Sequence, residues 1–381
     1  ERSESYTELS KQGKVPKSDS PQSEAYLAEY GIITDKVKGD LFVSKASKKL
    51  CEDMFNAEFE DPVYTLFPIS QFLLIWNRLR TRNEFRINRD LTPLLVPSPE
   101  LLFFCGYSEL EHIAEEVCAD FTKSKPLAGA KPRPDFSVGI APSAFTDEEI
   151  AKLKNHSSPE RATLFTDNIY FPFLLCEAKC GSQVVSIADR QNIRSSSMAV
   201  NAIVQLHQVL GDDQASAKLS GQILVFSISH TDEHVKIYGH YAIITGAKVT
   251  FYRHRIDSFN LGPGKNAGNR KKAYDFVREI YKSFYPAHLK RIQDALGQME
   301  DPRQRAMAAS MSIDQSSSQG QGSTGRSSGP NKTAGAPGFK KPDIPTGKEP
   351  SGQLSQQDEW LREQLQALVE EKAQQERRYE E

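Results

Sequence analysis

The sequence predicts an α/β protein. A mixed β-sheet is flanked by helices, a helical N-terminal segment precedes it, and a disordered C-terminal arm ending in a helix follows it. Three features predict this class. Apolar residues recur at helical spacing over residues 24–107, strand-like runs surround a long helical pattern over 108–299, and a low-complexity stretch follows.

The N-terminal part is predicted to be a tail followed by helices. Residues 1–23 contain almost no apolar side chains and are predicted to be disordered. Residues 25–30, 44–55 and 70–80 carry apolar positions three and four apart, as amphipathic helices do. A further helix is predicted from Ser108 to about residue 121, because Ser108 and Glu111 have the spacing of a capping box.

A buried strand is predicted over residues 171–176, an apolar run rich in aromatic and branched side chains. Because strand side chains alternate, Glu177 and Lys179 at its end point to the same face. A second strand is predicted to start at Asp135, since Pro134 suits a strand start. Antiparallel pairing of the two strands would bring Asp135, Glu177 and Lys179 together. Two carboxylates and an amine form a suitable Mg²⁺ site.

Pro134-Asp135 followed by Glu177-Ala178-Lys179 resembles the bipartite motif of the PD-(D/E)XK nuclease superfamily, which has the restriction-endonuclease-like fold. Over roughly residues 95 to 295 the chain is also similar to an uncharacterised domain widespread in fungal genomes. The nuclease resemblance implies that Asp135 and Glu177 hold Mg²⁺ or Mn²⁺ with the Ala178 carbonyl, and that Lys179 is catalytic. The alternative is structural: Asp135 caps a turn, and Glu177 pairs with Lys179.

Other residues take roles from the same resemblance. Some superfamily members add an acid from the helix before the Pro-Asp strand, so Glu111 is a candidate metal ligand, with helix capping as the alternative. The polar start of the helix after the catalytic strand often faces the substrate, which makes Arg190, Gln191 and Arg194 candidate substrate contacts. A solvated helix start is the alternative for these three residues.

The segments around the motif complete the predicted core domain over 108–299. An insertion over 141–167 would hold a helix at 146–154. The resemblance implies a strand between the helix that starts at Ser108 and Pro134, but residues 122–133 are too rich in Pro, Lys and Gly to form a good one. A short extended piece at 184–187 and a helix at 188–210 follow the motif. The remaining predicted elements are strands at 222–229, 234–244 and 249–256, and helices at 273–285 and 286–299.

Basic residues near these last elements could neutralise phosphates or form a solvated surface. They are Arg253, Arg255, Lys265, Arg270, Lys271, Lys272, Lys290 and Arg291. Residues 300–352 are predicted to be a linker, and 353–381 an amphipathic helix. The leucine seam over 354–372 is short, so a protein partner or weak self-association is predicted, with an exposed helix as the alternative.

Composition bounds the function. The net charge is −2, from 48 basic and 50 acidic residues, so nucleic-acid binding would need a local patch. Five scattered cysteines are typical of a reducing compartment, which predicts an intracellular protein of the nucleus or cytoplasm. No run is long and apolar enough to span a membrane, and no membrane partner is expected.

We therefore expect a metal-dependent nuclease that hydrolyses nucleic-acid phosphodiester bonds, with DNA as the first candidate substrate. The alternative is a catalytically inactive nuclease fold that acts as a nucleic-acid or protein interaction module. Clustered carboxylates with raised pKa in an open cleft would favour the enzyme. A cleft closed by the 141–167 insertion would favour the module.

Overall fold

The computed structural model describes residues 16, 20, 22–60, 69–157, 164–181, 183–210 and 217–301. Most of the predicted N-terminal tail, nearly all of the predicted linker and the whole predicted terminal helix lie outside the described residues. Within the described part of the chain, no helix combines the length and the apolar character needed to cross a bilayer.

A mixed β-sheet forms the centre of the fold, which confirms the predicted class. Among the described residues, its six strands lie side by side in chain order. Only the central pair β3 and β4 is parallel, and each other neighbouring pair is antiparallel. The strands are β1 Ile113–Val117, β2 Phe136–Ile140, β3 Tyr170–Ala178, β4 Ile223–His230, β5 His234–Thr245 and β6 Lys248–Asn260.

The described α-helices form two groups along the chain, one before the first strand and one after it. The earlier ones are α1 Ser23–Glu29, α2 Lys36–Leu41, α3 Lys45–Phe55, α4 Ile69–Leu79, α5 Glu84–Asp90, α6 Thr92–Leu95 and α7 Pro99–Phe104. The later ones are α8 Asp147–His156, α9 Val185–Gln208, α10 Asn269–Glu279 and α11 Tyr285–Gly297, with a π-helical turn at Ile280–Phe284 between the last two. Side chains from residues 24–107 and from the sheet share one hydrophobic core.

The parallel pair at the centre requires a crossover, because parallel strands cannot be joined by a tight turn. Helix α9 provides it and packs against β3, β4 and β5. Every residue of β3 and β4 is buried, as expected for strands covered on both faces. The N-terminal end of α9 therefore lies near the C-terminal end of β3.

The predicted helix from Ser108 to residue 121 is wrong. Ser108–Leu110 forms a single 3₁₀ turn, and the following residues form the edge strand β1, which pairs with β2. Pairing with β2 satisfies the backbone of Ile113–Val117, so long-range contact overrides the helical spacing of its apolar residues. Strand β1 precedes the Pro-Asp strand and pairs with it, so the strand at this position is formed by Ile113–Val117 and not by residues 122–133.

Two other local predictions have clear outcomes. The helix predicted in the insertion is confirmed as α8, whose cap residue Thr146 forms a capping box with Glu149. The extended piece predicted at 184–187 is wrong beyond Val184, because α9 already begins at Val185. Val184 itself has extended backbone dihedrals.

Candidate functional site

Strands β2 and β3 bring the two halves of the motif to one edge of the sheet. Phe136 pairs with Cys176 in antiparallel register, so Asp135 and Glu177 take the next opposed positions. The Asp135 carboxylate oxygen Oδ2 accepts a hydrogen bond from the backbone nitrogen of Ala178 at 2.9 Å. The predicted antiparallel arrangement of the two motif strands is confirmed.

Lys179 follows β3, and oxygen atoms surround its ammonium group. Nζ donates to the carbonyl oxygen of Ala178 at 2.6 Å and lies 3.2 Å from Oε1 of Glu84 and 3.9 Å from Oδ2 of Asp135. The Lys179 backbone N–H donates to the carbonyl of His230 at 2.9 Å. This last bond joins the end of β3 to the end of β4, so the position of Lys179 is tied to the sheet.

Glu84 is the acid of this cluster that the sequence did not reveal. It is the first residue of α5, which Asn83 caps by accepting a hydrogen bond from the backbone nitrogen of Arg86. An acid in the first turn of a helix is favoured by the helix dipole, so the local pattern accounts for a glutamate here. Its contact with Lys179 joins residues 95 positions apart, which no local pattern indicates.

The electrostatic state of Glu177 is the clearest chemical feature of the cluster. Glu177 is 3% exposed and Lys179 is 6% exposed. Burial raises the pKa of the Glu177 carboxyl well above its usual range, and the neighbouring Asp135 carboxylate raises it further. The charges of Lys179 and Arg194 oppose this rise. A cation shared with Asp135 would therefore favour the ionised form of Glu177.

The donor atoms present are suited to a hard divalent cation. Among the described residues, no group of three or more His, Cys, Asp or Glu side chains could hold a metal ion. Mg²⁺, however, is commonly held by one or two carboxylates and keeps several waters. Asp135 and Glu177 supply two such carboxylates, and their mutual repulsion is the effect that a divalent cation relieves. The pair therefore fits Mg²⁺ or Mn²⁺ with water as the remaining ligands.

Glu111 is not part of this cluster. It is exposed and precedes the Ile113 end of β1, which pairs with Ile140 at the far end of β2 from Asp135. At about 3.3 Å per strand residue, Glu111 is more than about 15 Å from Asp135 along the sheet. The structure brings Glu84 to the cluster instead.

The three candidates on α9 have different surroundings. Arg194 lies near Glu177, as its effect on the pKa of that carboxyl indicates, and its Nη2 donates to the carbonyl of Ala130 at 2.9 Å. Arg190 lies 3.5 Å from the Glu24 carboxylate of α1, and Gln191 is partly buried. The fold thus brings Arg194 towards the carboxylate cluster.

A family comparison covers the elements that build this cluster. The model of a Domain of unknown function (DUF7924) matches residues 71–296, more than half of the 381 residues. The chain belongs to this family. The predicted resemblance to an uncharacterised domain is confirmed in this respect, and the DUF7924 region includes α5 with Glu84 as well as all six described strands. Neither the curated proteins nor the solved structures gave a match to the chain.

A row of polar side chains runs from the cluster across the DUF7924 sheet. Glu177 on β3 pairs with Ser229 on β4, which pairs with Lys236 on β5, so the three side chains share the face covered by α9. Asn192 of α9 donates to the Ser229 hydroxyl at 2.9 Å. Lys236 Nζ lies 2.7 Å from the Asp189 carboxylate of the same helix.

On the opposite face of the sheet from Glu177 lies a buried histidine, His230, whose backbone carbonyl accepts the hydrogen bond from the Lys179 backbone. His230 is fully buried, and its Nε2 lies 2.9 Å from the hydroxyl of Thr92 in α6. Burial lowers the pKa of the His230 imidazole to about 4, so the ring is neutral near neutral pH. The contact with Thr92 joins the helices before the sheet to the strand end that holds the Lys179 backbone.

The predicted basic patch of the DUF7924 region is divided among different surroundings. Arg270 is buried, Lys271 pairs with Asp275 at 2.7 Å, and Lys290 pairs with Asp294 at 2.8 Å. Arg253 lies against the first turns of α9, where its Nη1 donates to the carbonyl of Asp189 at 2.8 Å. These basic residues therefore differ in burial and in the groups that they contact.

Proposed function

We propose that this chain is a metal-dependent nuclease of the PD-(D/E)XK type that hydrolyses phosphodiester bonds of nucleic acid, with DNA as the first candidate substrate. The observation that carries the proposal is the meeting of Asp135, Glu177 and Lys179 at the ends of two antiparallel strands. A buried carboxyl beside a second carboxylate and an ammonium group costs free energy, and such arrangements are typical of functional sites.

The order of elements also supports this proposal. The resemblance implies a strand before the Pro-Asp strand and a helix directly after the catalytic strand. Strand β1 and helix α9 occupy those two positions. Glu84 offers the additional acid that some superfamily members use, although it comes from α5 and not from the segment that contains Glu111.

Each residue of the cluster has a defined role in this proposal. A bound Mg²⁺ or Mn²⁺ would supply a Lewis acid that stabilises charge on the phosphate and acidifies a water. Asp135 and Glu177 would hold the ion through their carboxylates, with the Ala178 carbonyl beside them. Lys179 would orient the attacking water or contact a phosphate oxygen. The Lys179 ammonium now bonds the Ala178 carbonyl at 2.6 Å, so it would release that oxygen in the metal-bound state.

A second candidate function is an inactive nuclease fold that serves as a nucleic-acid or protein interaction module. The low exposure of Glu177 and Lys179 favours it, because a scissile phosphate must reach both groups. Helix α5 lies over this end of β3 through the contact of Glu84 with Lys179. Helix α8, the helix described within the insertion, packs instead against α11.

The decisive experiment incubates the full chain with single- and double-stranded DNA and RNA in the presence of Mg²⁺ or Mn²⁺. Asp135→Asn, Glu177→Gln and Lys179→Met are each expected to lower cleavage by at least about 10²-fold. Glu111→Gln is the matched control and should cleave like the wild type. Metal binding is measured in parallel by titration calorimetry.

Two results would count against the nuclease. Cleavage that persists in all three cluster variants would show that the cluster does not carry the activity. Absence of both cleavage and metal binding in a wild type with a cooperative unfolding transition would favour the interaction module. The proposal requires cleavage and metal binding to be lost together in Asp135→Asn and Glu177→Gln.

A further inference from the structure

A cationic cavity lies on the β5 and β6 side of the first turns of α9. Its volume is about 170 Å³. Four of its lining residues are basic and one is acidic, so its net charge is positive. The lining residues are Thr34, Lys36, Asp189, Lys236, Tyr238, Arg253 and Arg255.

The sheet register places Arg253 and Arg255 on the same face as Tyr238. Tyr238 pairs with Arg255, and the neighbouring position of β6 on the same face carries Arg253. The Arg253 guanidinium lies 4.7 Å from the centre of the Tyr238 ring, and its Nη1 bonds the backbone of Asp189. Arg253 is thus held in position by a cation–π contact and a hydrogen bond.

Close packing of α2 on β6 brings Lys36 to the same cavity. Gly39 lies so near the backbone of β6 that a Cβ atom there would be 2.0 Å from the carbonyl oxygen of Arg253. Because only a glycine allows this approach, α2 packs closely against β6 at Gly39. Lys36, the first residue of α2, lines the cavity from that side.

The positive charge of the cavity is only partly balanced by the protein. Asp189 Oδ2 already lies 2.7 Å from Lys236 Nζ and accepts a hydrogen bond from the Tyr238 hydroxyl at 3.2 Å. Neither the Lys36 ammonium nor the Arg255 guanidinium makes a hydrogen bond or an ion pair with another described residue. Two cations therefore remain available for an anion.

The second oxygen of Asp189 needs a hydrogen-bond donor. Oδ1 is buried and has no hydrogen-bond partner among the described residues, and the Asp189 side chain is 4% exposed. An unsatisfied buried carboxylate oxygen is costly. A ligand that suits the cavity would therefore offer acceptor oxygens to the cations and one proton to Asp189.

We propose that this cavity binds a phosphomonoester group in its singly protonated form. Its unprotonated oxygens would face Lys36, Arg253 and Arg255, and its P–OH would donate to Asp189 Oδ1. A phosphodiester lacks that proton. The cavity is smaller than the roughly 300–1,000 Å³ of sites that enclose whole small molecules, so the rest of the ligand would lie outside it. Inorganic phosphate and the terminal phosphate of a nucleotide chain share this chemistry.

The test is calorimetric titration of the full chain with inorganic phosphate and with sulfate, without divalent metal. Sulfate has the same shape but no proton at neutral pH, so it should bind at least about tenfold more weakly than phosphate. Arg255→Gln should weaken phosphate binding by at least about tenfold. Asp189→Asn should reduce the preference for phosphate over sulfate. Arg78→Gln, which changes an exposed arginine of α4, is the matched control and should bind as the wild type does.

Equal binding of phosphate and sulfate, or unchanged phosphate binding in Arg255→Gln, would overturn the proposal. If Arg255→Gln does not unfold cooperatively, Lys36→Gln at an exposed position replaces it with the same expectation. Because no metal is present and no cleavage is measured, the result does not depend on whether the chain is a nuclease.

Competition by oligonucleotides distinguishes the two sources of the phosphate. Displacement by a 5′-phosphorylated oligonucleotide but not by its 5′-hydroxyl form supports the terminal phosphate of a nucleic acid. Phosphate binding that neither oligonucleotide displaces supports a free phosphate. Equal displacement by both forms overturns the requirement for a monoester.

Discussion

Asp135 accepts a hydrogen bond from the backbone nitrogen of Ala178 through its side-chain oxygen Oδ2, at 2.9 Å. One carboxylate oxygen of the first motif half thus holds the backbone of the second half, between Glu177 and Lys179. The acid has a structural role in addition to the metal-binding role proposed for it, and substitutions can separate the two.

Asp135→Ala and Asp135→Asn are expected to differ in stability but not in metal binding. Alanine leaves the Ala178 N–H without its partner and should lower the free energy of unfolding by about 1–3 kcal/mol. Asparagine keeps an acceptor oxygen and should stay within about 1 kcal/mol of the wild type. Both variants should lose Mg²⁺ binding because both lose the charge. Urea unfolding and calorimetry measure the two quantities, and equal destabilisation by both variants would exclude this role for the hydrogen bond.

Glu84→Gln should affect chemistry more than stability. Its ion pair with Lys179 involves a carboxylate that is 36% exposed, so the loss in unfolding free energy should be below about 1 kcal/mol. Hydrolysis should slow by roughly tenfold, because the Lys179 ammonium loses the acid that orients it. Glu111→Gln should leave the rate unchanged. A rate that falls with Glu111→Gln and not with Glu84→Gln would restore the assignment made from the sequence.

Glu177→Gln should stabilise the metal-free protein, and the gain should grow with pH. The pKa of Glu177 is raised in the folded state above its ordinary value of 4.5. Below that value both states are protonated, so the carboxyl has no effect on the pH dependence. As pH rises above it, the unfolded state releases the proton first, and wild-type stability falls until the folded-state pKa is passed.

Thermal unfolding in the presence of a chelator at several pH values measures this effect. The two proteins should have nearly equal melting temperatures near about pH 4.5, and the variant should melt a few degrees higher near about pH 7. A difference between the two proteins that does not change over this pH range would contradict the raised pKa.

His288 should make the fold sensitive to acid. Burial lowers the pKa of its imidazole to about 3 from the ordinary 6.5, and the Arg291 charge adds to the effect. Between these two pKa values the imidazole binds a proton in the unfolded state but not in the folded state. The folded state therefore loses stability as pH falls from 6.5 towards 3. Between about pH 7 and about pH 5 the loss is about 2 kcal/mol. Unfolding free energies of His288→Gln should decline less steeply over this range, and parallel curves would refute the explanation.

Some parts of this fold follow from local patterns. Helix α8 was predictable because the capping box of Thr146 and Glu149 is a local signal. The edge shared by Asp135 and Glu177 was predictable because strand side chains alternate and both acids stand at strand ends. These features depend on residues close together in the chain, or on a single pairing of two strands.

The errors arose where distant contacts decide the conformation. Ile113, Ala114 and Val117 have spacing that suits a helix, and only the pairing of β1 with β2 makes the segment a strand. The contact of Glu84 with Lys179 depends on how α5 packs over the end of β3. Neither interaction leaves a pattern in the sequence nearby, so the resemblance, applied to a segment predicted to be a helix, indicated Glu111 as the additional acid.

The row formed by Glu177, Ser229 and Lys236 has a length that the sheet determines. Its three residues stand on neighbouring hydrogen-bonded strands, so the main chain holds the two end residues about 10 Å apart. Changes in loops or in side-chain rotamers cannot alter that length. Helix α9 holds the same row from the other side, because Asn192 bonds Ser229 and Asp189 pairs with Lys236, so strands and helix together fix this spacing.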